Sequence, residues 1–317
     1  MGTAVIYYSR RVRVEVDPFI PLDDARAALA ATEVDVEPVR RPLGGAGIVG
    51  LLVWEDRVGE EELARLPDLR VVVTPSVGYD HIDVEAARRR GVVTCNVPDY
   101  CVEEMADSTL ALLLALLRGV VALDREVRAG GWNYQAAGPL RSLAGTRLGI
   151  VGAGRIGTAV AHRGRALGMD VWASDPLVSD EAIRKAGACP AALGEVLARS
   201  EAVTLHAPLS AETEGLIGRA EIARMPRGAF LVNTARPRLV DMDALLDALA
   251  SGHLAGAALD VLELEPPTDE HPAPQAPTLI VTPHAAFYSE RAESELIRRS
   301  LAALRDVLEG RIPGSAL

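Results

Sequence analysis

Residues 147–175 constrain this chain more than any other stretch. Arg147–Val151 (RLGIV) is a short apolar run of the kind that forms a buried strand. It passes directly into Gly152-Ala153-Gly154-Arg155-Ile156-Gly157, and Arg155–Leu167 continues with helical spacing. The three glycines differ in what they make possible. Gly152 permits the tight turn, Gly154 lets the backbone approach a pyrophosphate, and Gly157 lets the helix pack against the strand. The helix start then presents unpaired N–H groups and the positive end of its dipole to the phosphates. A second strand, Val171–Ser174, ends at Asp175, roughly 20 residues beyond the first glycine, where an acid meets the adenosine ribose. A carboxylate there accepts the ribose hydroxyls and repels a 2′-phosphate, which favours NAD over NADP. Two cations, Arg155 and Arg163, lie close by in sequence and are the residues that would meet such a phosphate.

The rest of the chain repeats the strand–helix alternation. Strands are expected at Ala4–Tyr8, Ile48–Trp54, Val71–Thr74 and Val92–Cys95, with helices at Asp23–Ala31, Glu60–Leu66 and Asp83–Arg90. Further strands are expected at Ala202–His206, Phe230–Asn233, Gly256–Leu259 and Thr278–Thr282, and a last helix at Glu290–Leu308. Such alternation builds parallel sheets from βαβ units, and 317 residues suit two domains. Glu103–Arg118 (EEMADSTLALLLALLR) is apolar nearly all round, so it is a helix buried on most sides, at a domain junction or a subunit interface. Arg128–Thr146 reads as loop, and the prolines from Pro266 to Pro277 exclude helix and central strand from that segment.

Composition narrows the partners. A net charge of −11 leaves no basic footprint for nucleic acid. The most apolar run, Leu110–Leu117, is too short to span a bilayer, so no membrane partner is expected, and no secretory leader is read at Met1. Cys95, Cys101 and Cys189 show neither metal-ligand nor disulfide spacing, so no metal is expected, and free thiols fit a cytoplasmic location.

Three strand ends in the second half carry chemistry. Asn233-Thr234-Ala235-Arg236 closes one, Asp260 closes another and leads to Glu263 and Glu265, and Thr282-Pro283-His284 closes a third. In open parallel sheets, ligands bind beyond the carboxyl ends of the strands. Reducing a 2-keto acid requires a proton donor at the carbonyl oxygen, and His is the usual one. A carboxylate beside it raises its pKa and fixes its tautomer. An Arg pairs with the substrate carboxylate and polarises the keto group. His284 is therefore expected as acid/base, Glu265 as its partner with Glu263 as the alternative, and Arg236 as the clamp.

With SVGYDHID (76–83), NVPDYCVEEMAD (96–107), GAGRIG (152–157), LHAPL (205–209), LVNTAR (231–236), DVLELEPP (260–267) and TPHAAFYSE (282–290), the chain resembles the D-isomer-specific 2-hydroxyacid dehydrogenase family over nearly its whole length. TPHAAFYSE and EGRIP (309–313) bring it nearest the C-terminal-binding-protein branch. The resemblance implies an α/β fold of two Rossmann-like or flavodoxin-like parallel-sheet domains with a cleft between them. The substrate domain is expected at 1–98 plus 288–317, and the NAD domain at 99–287. It implies the catalytic set Arg236, Glu265 and His284, which selects Glu265 over Glu263. Backbone N–H groups of Ser76, Val77 and Gly78 are expected to hold the substrate carboxylate. NAD is expected to contact the 152–157 loop, Asp175, His206, Ala207, Pro208, Thr213, Thr234, Ala235 and His284, with Asp260 at the nicotinamide amide. A homodimer, formed through the nucleotide domain and the 103–118 region, is implied too. Two positions depart from the family: Pro237 follows the Arg where Gly is usual, and Phe287 replaces a frequent Trp. Two other functions stand beside the dehydrogenase: an NAD(H)-sensing interaction protein, and a reductase of a dianionic, phosphonate- or phosphate-bearing keto acid read by Arg238.

Overall fold

The computed structural model describes residues 12–54 and 56–317. The chain divides into two compact units, one of residues up to Tyr100 together with Glu290–Leu317, the other Cys101–Ser289. The boundaries expected from sequence lie at 98/99 and 287/288.

The first unit runs β1 (Arg13–Val16), α1 (Leu22–Leu29), β2 (Asp35–Pro38), β3 (Ile48–Leu52), α2 (Glu60–Ala64), β4 (Val71–Val73), α3 (Val84–Arg89) and β5 (Val93–Cys95). Its five strands are all parallel, in the order β2-β1-β3-β4-β5. Successive side chains of a strand point to opposite faces. Val71 and Val73 accordingly join Val14 and Val16 in one core, while Val72 joins Leu51, Val53 and Leu63 in the other. Full burial of each such side chain contributes about 1.5–3 kcal/mol, and a sheet covered on both faces collects this twice. The strand expected at Ala4–Tyr8 lies outside the described residues. β1 and β2 are absent from the sequence expectations because charge conceals them. Glu15 is buried in β1 with its carboxylate 3.5 Å from the Arg13 guanidinium, and β2 is an edge strand ending in proline.

The second unit runs α4 (Val102–Leu117), α5 (Val120–Arg128), β6 (Arg147–Val151), α6 (Arg155–Ala166), β7 (Asp170–Ser174), α7 (Asp180–Lys185) and β8 (Cys189–Pro190). It continues with α8 (Leu193–Arg199), β9 (Ala202–Leu205), α9 (Arg219–Arg224), β10 (Ala229–Asn233), α10 (Met242–Ala250), β11 (Leu254–Leu259) and β12 (Leu279–Val281). Seven parallel strands lie in the order β12-β11-β10-β9-β6-β7-β8, and the order reverses between β6 and β9. That reversal opens a crevice at the strands' carboxyl ends. α4 packs on α6 with Leu110, Leu113 and Leu117 buried. Gly119, at φ 60°, stops it, and α5 departs at 60°. No single helix among the described residues is long and apolar enough to cross a membrane. The segment from Arg128, expected as loop, holds one 3₁₀ turn at Tyr134–Ala137, and another at Ala273–Gln275 lies in the proline-rich segment. The chain ends with α11 (Glu290–Leu308), whose Leu301, Leu304 and Val307 enter the core of the first unit.

Candidate active site

The glycine loop sits where β6 meets the reversal. Gly152 has φ +94°, and a Cβ there would lie 2.6 Å from the carbonyl carbon of His206 and 2.7 Å from the nitrogen of Ala207, in the loop after β9. A Cβ on Gly157 would stand 2.0 Å from the Gly152 oxygen, so only glycine lets α6 start this close to β6. A Cβ on Gly154 would meet nothing within 4 Å. The helix start after Gly154 is thus open, and no side chain caps its N–H groups. That open space before an uncapped N-terminus is what a pyrophosphate requires. Asp175 is fixed by two backbone donors, Ala153 N–H and Leu177 N–H, both at 2.8 Å. A carboxylate has about four acceptor positions, so it retains two for a ribose.

Arg155 is exposed at the first turn of α6 and Ile156 is half-buried. Arg163 is engaged elsewhere, paired with Asp107 at 2.7 Å and with Glu103. His206 bonds Thr204 Oγ1 through Nε2 at 3.2 Å, and burial pushes its pKa down to about 4, so the ring is neutral at physiological pH. Thr213 organises the loop beyond Ala207: its hydroxyl donates to the Pro208 carbonyl at 2.7 Å and accepts from Ser210 N–H at 2.8 Å.

β10, β11 and β12 are neighbours in the sheet, so the three chemical motifs leave from adjacent strand ends. After β10 the buried Asn233 shapes the turn. Its Oδ1 accepts from Ala235 N–H at 3.0 Å, and its Nδ2 donates to the Arg236 carbonyl at 2.7 Å. The Thr234 hydroxyl meets that of Thr109 on α4 at 2.9 Å. Arg236 is half-buried and donates to the Ala235 carbonyl at 3.0 Å. Arg238, the residue of the dianionic reading, is exposed and paired with Glu214.

After β11, Asp260 is buried and its carboxylate builds the loop that follows β12. Its Oδ1 accepts from Thr282 Oγ1 at 2.6 Å and Ala285 N–H at 2.9 Å, and its Oδ2 accepts from Ala286 N–H at 2.9 Å. These bonds run from the strand end of β11 to the loop after β12. They hold His284 at φ +52°. A non-glycine residue there carries about 1–3 kcal/mol of strain, sustained only when its surroundings fix it. The His284 N–H also donates to the Asp260 carbonyl at 2.8 Å.

His284 Nδ1 then lies 2.7 Å from Glu265 Oε2, while Glu265 Oε1 accepts from Leu262 N–H at 2.7 Å. Glu263 is exposed. Burial opposes charge on the imidazole, yet the Glu265 hydrogen bond and the charges of Glu265 and Asp260 outweigh it, and the His284 pKa is raised. Burial likewise opposes charge on Glu265, but the bonds from His284 and Leu262 N–H and the charges of His284 and Arg236 lower its pKa. Arg236 acts on both members, lowering each. Phe287 stands edge-on to the His284 ring at 6.3 Å between centroids.

In the first unit, the loop after β4 commits its carbonyls inward. Val97 N–H donates to the Ser76 carbonyl at 2.9 Å, and Asn96 Nδ2 to the Val77 carbonyl at 2.7 Å. The Ser76 hydroxyl donates to the Gly78 carbonyl. Among the described residues the N–H groups of Ser76, Val77 and Gly78 find no intramolecular acceptor. Successive free N–H groups suit an anion.

Asn233, which the sequence places at its strand end without a role, and Thr109, which it does not single out, support the Arg236 turn. Asn at a strand end before a turn is the signal for Asn233, because its amide bonds its own backbone two residues on. Nothing local marks Thr109, which contributes across the α4–β10 contact.

Residues 110–286 match the family described as D-isomer specific 2-hydroxyacid dehydrogenase, NAD binding domain. The chain is 40% identical over 273 residues to the glyoxylate reductase of Korarchaeum cryptofilum, covering 84% of this chain and 80% of that protein. It is 38% identical over 237 residues to the D-3-phosphoglycerate dehydrogenase of Bacillus subtilis, covering 75% of this chain and 45% of that protein. The structure of Aquifex aeolicus D-lactate dehydrogenase, complexed with NAD and lactic acid, superposes with a TM-score of 0.87 at 28% identity, covering 96% of this chain and 99% of that one. Matched by the family's own nucleotide-binding domain and by a close relative along most of its length, the chain belongs to the D-isomer specific 2-hydroxyacid dehydrogenase family of NAD-dependent oxidoreductases.

Proposed function

We propose that this protein interconverts a small 2-keto acid and its 2-hydroxy acid, with His284 as acid/base, Glu265 as its partner and Arg236 as carboxylate clamp. The observation that carries the assignment is the His284–Glu265 bond of 2.7 Å with Arg236 acting electrostatically on both. NADH, when bound, supplies the hydride that reduces C2. Glu265 holds Nδ1–H, which leaves Nε2 of His284 to carry the mobile proton. As the keto oxygen gains charge, Nε2 gives up its proton to it, and the neutral ring stays oriented by Glu265. Arg236 pairs with the substrate carboxylate and draws charge from the adjacent carbonyl. In the first unit, the N–H groups of Ser76, Val77 and Gly78 are the second place built to receive a carboxylate.

The glycine loop and Asp175 fit the dinucleotide, with the retained acceptor positions of Asp175 taking the ribose hydroxyls. We assign the protein to the cytoplasm, where its free cysteines are kept reduced. We also propose a homodimer: Val120, Val127, Trp132 and Tyr134, just beyond α4, expose large apolar side chains, and such patches mark interaction surfaces.

The test is spectrophotometric. Purified protein is given NADH or NADPH with glyoxylate, hydroxypyruvate, pyruvate, arylpyruvates, branched keto acids and phosphonopyruvate in turn. Turnover of a keto acid with NADH, and at least about tenfold less with NADPH, is expected. Inertness toward the whole panel, with NADH still bound, would contradict the enzymatic reading.

A further inference from the structure

Arg236 is held by a device that the acid–base chemistry does not explain, and one of its parts departs from the family. Pro237 follows Arg236 directly and opens a 3₁₀ turn, Pro237–Leu239. A residue before proline is barred from the helical region and confined to φ near −120 ± 40° and ψ of about +120 to +160°. Arg236 sits inside that window, at φ −140° and ψ 139°. The peptide that follows it is gripped from two sides. The Arg236 carbonyl accepts from Asn233 Nδ2 at 2.7 Å and from Leu239 N–H at 3.3 Å. Leu239 is fully buried, and its carbonyl accepts from Ile217 N–H at 2.9 Å, which stitches the turn to a neighbouring loop.

Asn233 is the hub. Its side chain closes the turn on the Arg236 side, and its own carbonyl accepts from Asp260 N–H at 3.0 Å. Asp260 in turn holds the loop of His284. One buried residue, through its side-chain amide and its backbone carbonyl, therefore ties the backbone that carries the guanidinium to the backbone that carries the imidazole. A Gly at 237 would free the Arg236 backbone, while Asn233 alone would still hold its carbonyl.

We propose that Asn233 and Pro237 are positioning residues that together fix the Arg236 backbone, so that the guanidinium is set before the substrate arrives. The inference rests on the reading of Arg236 as the carboxylate clamp. Ordering removed in advance is not lost again on binding, so its effect falls on the affinity for the carboxylate.

The experiment compares Pro237→Gly, Asn233→Ala, their combination and Arg236→Ala, using the keto acid turned over fastest in the panel. Pro237→Gly, in a half-exposed turn, should raise KM for the keto acid about two- to fivefold, the range associated with one released backbone. NADH affinity should stay as in the unaltered protein, while Tm falls by no more than about 3 °C, the cost of one residue freed in the unfolded chain. Asn233→Ala should raise KM about tenfold. The double variant should lose more than the product of the two, because each restraint covers for the other. If Arg236→Ala is crippled while Pro237→Gly keeps the unaltered KM and the double variant only multiplies the singles, this inference fails alone. If Arg236→Ala is as active as the unaltered protein, the clamp reading fails and takes the inference with it. A fall in Tm with KM unchanged would make both residues merely structural and also overturn it.

Discussion

Replacing His284 with Ala should lower kcat for keto-acid reduction by about 10²–10⁴-fold while keeping most of the affinity for NADH. The size of the effect follows from the site. The imidazole is the one group with a raised pKa whose second ring nitrogen is left to carry a proton, because Nδ1 is bound at 2.7 Å to Glu265. Without it the growing alkoxide must take its proton from water. Most NADH affinity should persist because the glycine loop and Asp175 leave from β6 and β7, and losing His284 after β12 removes only its own contact with the dinucleotide. Stability should fall modestly, since Ala at φ +52° carries similar strain and Glu265 loses the partner that offsets its burial. Rapid kinetics with pre-bound NADH would read the chemical step directly. A variant within tenfold of the unaltered kcat would remove His284 from the role of acid.

Two glycine substitutions should fail in opposite ways. Gly157→Ala places a Cβ 2.0 Å from the Gly152 oxygen and 3.3 Å from Ile150 Cγ2. α6 must then move off β6, at about 1–3 kcal/mol for overpacking of this kind. Both Tm and NADH affinity should fall. Gly154→Ala puts its Cβ into open space, at φ −70° and ψ −158°, which alanine adopts freely. Its Tm should be unchanged, yet NADH affinity should drop by more than about tenfold, because the methyl group occupies the approach of the pyrophosphate. Calorimetry and NADH fluorescence titration separate the two. Equal affinity for NADH in Gly154→Ala and the unaltered protein would show that the phosphates bind elsewhere.

Much of this site is legible in the sequence because its parts are local. The strand, three glycines, helix and acid of 147–175 state their geometry within one βαβ unit. The family motifs select Glu265 over Glu263, and the structure shows why: Glu265 turns back to Leu262 N–H and to His284, whereas Glu263 faces solvent. What the sequence conceals depends on distant partners. That Asp260 also makes three bonds to residues 282–286 is hidden in the sequence, because only the pairing of β11 with β12 brings them alongside. The ion pairs of Arg163 with Glu103 and Asp107 are also concealed, because they come from α4. The pairing of Arg238 with Glu214 is likewise not visible in sequence, because the two residues are 24 apart. β1 escapes notice because Arg13 and Glu15 pair with each other, a compensation that a reading by hydrophobicity does not register.

The pH dependence of kcat/KM for reduction, in the unaltered protein and in Glu265→Gln, bears most immediately on the acid and its partner. Reduction needs protonated His284, so the rate should be level on the acid side and fall as pH rises through the raised pKa of the ring, above the ordinary 6.5. Gln at 265 keeps the shape but can accept from only one of Leu262 N–H and His284 Nδ1–H, and it removes the charge that offsets burial, so the fall should move to lower pH and the rate at neutral pH should drop. Profiles that coincide, or a rate that climbs with pH in the unaltered protein, would contradict the assignment of His284 and Glu265 as the acid and its partner.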